Sequence, residues 1–194
     1  MQKVRNTLGA FLCLVLASVA QSQGLPKDVS VRYSEQVSNG PAGTCGCFSL
    51  EGAAGDSYWA VQLYKEGKPA YLGFVADVGV EHTGNINNAG YGLTLTTVTA
   101  GPRAVLLPIG KVRPFAQVLL GLAHGSSSQF PQNNGLVASA NSFALDLGAG
   151  ADYTVSKRLS VRLLQLDYVR TALPNNSTDW QNNLRIGTGI VLHF

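Results

Sequence analysis

Three groups of residues have types and spacings that could do chemistry. Cys45-Gly46-Cys47 sets two thiols one residue apart, and in an oxidising compartment a disulfide could tie that loop if Gly46 turns tightly enough to meet the required Cα separation. As a metal site the pair falls short, because no histidine is near and four ligands are usual. His124 is followed by Ser126, Ser127 and Ser128, which would supply base and nucleophile to a hydrolase. A triad also needs an orienting acid and an oxyanion hole, and the sequence signals neither. Six charged residues, Asp77, Arg103, Asp146, Asp152, Arg162 and Arg185, fall among small or polar neighbours within otherwise apolar alternating runs. Charges so placed pair with one another or stay at a surface. No phosphate-cradling glycine loop, dinucleotide fingerprint or paired-carboxylate motif is present, so no catalytic residue, cofactor or metal is expected.

The runs that carry those charges alternate with the period of a strand. In the last one, Asn182 to Phe194, Leu184, Ile186, Thr188, Ile190, Leu192 and Phe194 share one face. Asn183, Arg185, Gly187, Gly189, Val191 and His193 share the other. Earlier strands are expected at Val29–Val37, Ser57–Glu66, Tyr71–His82, Gly90–Leu107, Val112–His124, Ser142–Thr154 and Leu159–Thr171, and the split returns in the first, third, fifth and sixth of them. Long polar connections (39–56, 125–141, 172–181, and a loop through 84–88) alternate with tight turns at Glu66-Gly67-Lys68-Pro69, Pro108-Ile109-Gly110-Lys111 and Ser156-Lys157-Arg158. Pro102 and Pro114 predict a bulge or a strand end near each. In strand seven the apolar face changes parity between Leu163 and Leu164, which predicts a β-bulge there. Tyr33, Tyr71, Tyr153, Tyr168, Trp59 and Trp180 are expected near strand ends, where membrane-interface girdles would lie.

Eight strands, long for a soluble sheet, joined alternately by long and short connections, predict an all-β fold: an eight-stranded antiparallel up-and-down transmembrane β-barrel. Closure is required because an open edge in hydrocarbon leaves backbone donors and acceptors unpaired. Lys3 and Arg5, the apolar run Leu8–Val19 and the small residues Ser18 and Ala20 read as a signal peptide over residues 1–20, leaving 21–194 as one barrel domain. Removing Lys3 and Arg5 from 14 basic residues leaves 12 against 11 acidic ones, so nucleic acid has no electrostatic claim as a partner. In an eight-stranded barrel the interior is just wide enough for side chains to fill. Asp152 and Arg162 lie equally far from Lys157 and therefore face each other across one hairpin.

The run Asp152-Tyr153-Thr154-Val155, the turn, Arg162-Leu163, a polar loop and the closing strand to Phe194 resemble the last two hairpins of the OmpA-like eight-stranded domain of Gram-negative outer membranes. The Cys45-Gly46-Cys47-Phe48 loop before such a barrel also resembles members of that superfamily. The resemblance implies a porin-like outer-membrane protein lying in lipid, with a lumen plugged by inward acid and base pairs. It implies that Phe194 is the signal read by the barrel assembly machinery, and that the long loops face an extracellular ligand. The peptidoglycan-binding domain that many such proteins carry is not expected. Two other readings compete: a soluble lipocalin-like binding barrel, with the apolar face turned inward, and an outer-leaflet lipid-modifying hydrolase using His124.

Overall fold

Alternation of side chains along each strand decides where everything in this molecule goes. The computed structural model describes residues 27–38, 48–65, 68–86, 90–132, 135–175 and 179–194, with the side chains of 61–70 excepted. Eight strands are formed: β1 (Lys27–Ser38), β2 (Phe48–Lys65), β3 (Lys68–Thr83), β4 (Leu93–Val105), β5 (Val112–Gln132), β6 (Gly135–Thr154), β7 (Leu159–Thr171) and β8 (Gln181–His193). Each pairs antiparallel with its sequence neighbours, and β1 pairs with β8, closing the barrel. No helix among the described residues is long and apolar enough to cross a membrane. Both chain ends of the barrel, the end of β2, the start of β3 and the short turns after β4 and β6 lie at one end, the turn end; the other is the loop end.

The outer wall is apolar. Val98, Leu120, Leu122, Phe143 and Ile190 are all at least half exposed, whereas Arg32, Arg162 and Arg185 are among the largest fully buried side chains. A soluble barrel would have the opposite distribution.

Several boundaries differ from the sequence expectation. The stretch 39–56 was expected to be loop, but β2 begins at Phe48 and carries Gly52, Gly55 and Asp56 inside the sheet. Glycine there marks close packing: a Cβ on Gly52 would overlap the backbone of Val80 on β3. The expected loop 125–141 is instead a hairpin in which β5 and β6 run on to Gln132 and Gly135. Its residues lack strong alternation, and the register shifts between Ser126 and Phe130. Ser127 there takes a φ of 60°.

Pro102 causes no bulge. The β4–β5 pairing lapses at Gly101 and Pro102 and resumes at Arg103 in unchanged register, while Pro102 pairs normally with Phe74 on β3. Pro114 sits third in β5, beside the strand start. The bulge in β7 is present: Asp152 pairs with Arg162 and Ala151 with Leu164, leaving Leu163 as the extra residue. Leu163 and Leu164 both face outward as a result. Tyr33 lies in the middle of β1, away from either strand end, and Tyr71 packs against an interior cluster. The signal segment 1–20 and the pair Cys45 and Cys47 lie outside the described residues.

Candidate functional site in the barrel interior

Inward positions of all eight strands converge on one polar network. Its lower part, nearer the turn end, is built on Asp56. That carboxylate accepts from Arg103 Nη1 at 2.9 Å, Arg162 Nη1 at 2.5 Å, Arg32 Nη1 at 3.2 Å and the Ser30 hydroxyl at 2.7 Å. Arg162 also donates through Nε to Asp152 at 2.8 Å, and Arg103 donates through Nε and Nη2 to Gln117 at 2.9 and 2.6 Å. Both guanidiniums lie over the Phe115 ring, that of Arg103 at 4.7 Å from its centre and that of Arg162 at 4.6 Å. Cations over a desolvated ring are favourable, so this apolar residue belongs to the charge network.

Arg185 anchors the upper part. It is six β1 residues nearer the loop end, since Asp56 pairs with Ser30 and Arg185 with Gln36. Four carboxylates gather on its guanidinium: Asp146 at 2.6 Å, Asp167 at 3.2 Å, Asp77 at 3.4 Å and Glu81 at 3.5 Å. Arg32 joins the two parts, donating to Asp77 at 2.6 Å as well as to Asp56. One oxygen of Glu81 and one of Asp146 have no hydrogen-bond partner. The space is full: a Cβ on Gly148 would run into the side chains of Asp167 and Gln117.

All six charged residues singled out from the sequence therefore point into the lumen. Asp152 joins Arg162, Arg103 joins Asp56, and Asp77 and Asp146 join Arg185. Arg32, Asp56, Glu81 and Asp167 belong to the same network but are not among those six. Arg32, Glu81 and Asp167 do lie on polar faces in the sequence. Asp56 was hidden by the glycine-rich run before it, although counting back by twos from the buried Tyr58 reaches it.

Above the charges the lumen turns apolar. Leu50, Leu93, Leu95, Ala123, Phe130, Ala140, Ala144 and Leu173 form a buried cluster at the loop end. Phe130 folds inward from the β5–β6 hairpin onto Gly125, where a Cβ would stand only 2.5 Å from the ring. Glycine at this position makes room for the aromatic cap.

Each histidine is held by a neighbouring side chain. His124 Nδ1 meets Asn141 Oδ1 at 2.6 Å, so an amide on the next strand holds it. His82 Nδ1 meets the Thr94 hydroxyl at 2.9 Å. His193 bridges Asp28 Oδ1 through Nδ1 and Ser160 Oγ through Nε2, each at 2.7 Å. This is the atom order of a hydrolytic triad. Ser160 is 0% exposed, however, so its hydroxyl has no approach for a substrate. What the imidazole does is fasten β7, β8 and β1 together at the closing seam, next to the Phe194 N–H that donates to the Lys27 carbonyl at 2.9 Å. Among the described residues, no group of three or more His, Cys, Asp or Glu side chains could hold a metal ion.

Comparison with known proteins gives the fold a context. No family model and no curated relative matches the chain. Among solved structures, Neisserial surface protein A matches with a TM-score of 0.65 at 12% identity, over 87% of this chain and 97% of that one. Ail, the attachment invasion locus protein of Yersinia pestis, matches in its complex with the heparin analogue sucrose octasulfate. The TM-score is 0.55 at 16% identity, over 89% of this chain and 100% of that one. The chain has the closed eight-stranded fold of outer-membrane β-barrels.

Proposed function

We propose that the protein is an outer-membrane β-barrel with a structural or surface-interaction role and a lumen closed to solutes. One observation carries this reading: the side chains are inverted, with a continuous apolar outer wall around a buried ionic core. Hydrocarbon is the solvent that matches such a wall, and tilted strands of about 9–11 residues suffice to cross it. A lipocalin-like barrel would need an apolar lumen, and this one holds four arginines and six carboxylates.

The turn end then faces the periplasm and the long connections face outward. In this orientation Phe194 closes the seam at the periplasmic end, where the barrel assembly machinery would read it. The crossing of side chains in the lumen, capped by Phe130 and its neighbours, argues for no conduction. Surface interaction falls to the loops. None of the long connections carries a Lys or Arg, so a heparin-like polyanion, as bound by Ail, finds no matching charge there.

Membrane fractionation with heat-modifiable gel mobility tests the reading. The expected result is protein in the outer-membrane fraction whose unheated and boiled forms migrate differently. A soluble periplasmic protein with no mobility shift would overturn it.

A further inference from the structure

The four lumen arginines aside, every Lys and Arg of residues 27–194 except Arg170 lies in or beside a short turn or at the first residue of β1. Arg170 is thus the one basic residue carried on the outer wall near the loop end. It continues the outward series Leu164, Leu166 and Tyr168, while Asp167, Val169 and Thr171 point inward. It pairs with Leu145 on β6 and with Asn182 on β8, one residue from the end of β7. Its guanidinium lies 4.1 Å from the centre of the Trp180 ring, which is itself 46% exposed. No carboxylate among the described residues comes within ion-pair distance, and its Nε is buried without a hydrogen-bond partner. Beside it, the Tyr168 hydroxyl donates to Asn182 at 2.6 Å.

An arginine in this setting is costly to leave alone. It stands where the apolar wall gives way to the loops, so one flank is hydrocarbon, its Nε is buried without a partner, and the cation lacks a counter-charge. Stacking on Trp180 fixes the plane of the guanidinium and leaves its edge for an anion. Planar, forked donors suit phosphate oxygens. Tryptophan and tyrosine at the same level belong where a bilayer passes from chains to headgroups.

We propose that Arg170 and Trp180 form a site on the outer wall for a phosphate ester carried by a glycolipid headgroup of the outer leaflet. The proposal rests on placement of the barrel in the outer membrane. One phosphate is the fitting ligand, because a single cation is offered and the neighbouring loops add none.

The test uses the folded barrel in zwitterionic detergent, titrated with diphosphorylated lipid A in mixed micelles. The chain has two tryptophans, and Trp59→Phe leaves Trp180 as the fluorescent reporter. A saturating change in Trp180 emission is expected, and Arg170→Gln should weaken the apparent affinity by about tenfold or more, as loss of charged hydrogen bonds implies. Arg170→Lys keeps the charge but loses the fork and should fall between the two. Heat-modifiable mobility verifies that each variant is folded, and if the Gln variant does not fold, the wild-type and Lys comparison decides. Dephosphorylated lipid A should give no saturating response. An equal response from that lipid, or from either Arg170 variant, would overturn the site. Saturation by millimolar inorganic phosphate, with nothing gained from the lipid, would overturn the lipid assignment. The micelle assay does not depend on cellular location, so failure here and failure of fractionation are separate results.

Discussion

Asp56 and Arg185 occupy matching positions in the two halves of the charged lumen, and what surrounds them is opposite in sign. Asp56 is one carboxylate among three guanidiniums, from Arg32, Arg103 and Arg162. Arg185 is one guanidinium among four carboxylates, from Asp77, Glu81, Asp146 and Asp167. In each half the minority charge is the keystone, and the majority charges are partly redundant. Burial makes the distinction sharp, because a charge that loses its partner in such an interior has no water to turn to.

The largest effects should come from removing a keystone. Asp56→Asn leaves Arg103 without a carboxylate and takes one from Arg162 and Arg32, and Arg185→Met leaves Asp146 and Glu81 without a cation, so each is expected to cost about 3–5 kcal/mol. Urea unfolding of barrels folded into lipid vesicles would measure both losses. Phe130→Ala, in the apolar cap, should cost about 3 kcal/mol by emptying the space over Gly125.

Smaller effects test the edges of the contrast. His193→Ala removes the imidazole between Asp28 and Ser160 and should cost about 1–2 kcal/mol, the scale of two partly buried hydrogen bonds. Its signature is early opening of the β1–β8 seam, read by hydrogen exchange at the two ends of the barrel. Glu81→Gln should change stability by less than about 1 kcal/mol. Glu81 is the most distant of the four carboxylates on Arg185, at 3.5 Å, and an amide oxygen can still accept the 3.0 Å bond from Ser34. A loss as large as that of Asp56→Asn would break the distinction between keystone and majority charges.

How much of this could be read in the sequence depended on what each face meets. Strands β3, β6, β7 and β8 pass between lipid and packed lumen, so their alternation is clean and their inward charges were visible. The facing of Asp152 and Arg162 followed from a tight turn, and the β7 bulge from a parity flip between Leu163 and Leu164. Asp56 is obscured because Gly52, Ala53, Ala54 and Gly55 look like loop chemistry, when Gly52 in fact stands so near the Val80 backbone of β3 that a Cβ would not fit. The hairpin 125–141 looks like loop in the sequence because its far end rises past the apolar wall, where no lipid face imposes a period. The apolar cap gathers residues from β2, β4, β5, β6 and the chain after β7. Contacts over such separations have no local signature in the chain.

With two ionic layers and an apolar cap across the lumen, the barrel should not conduct. Conductance of the purified barrel in a planar bilayer tests this most directly. No current steps above the lipid background are expected from the wild-type protein at voltages the bilayer tolerates. Steady ohmic steps from wild-type protein shown to be folded by its gel mobility would contradict it.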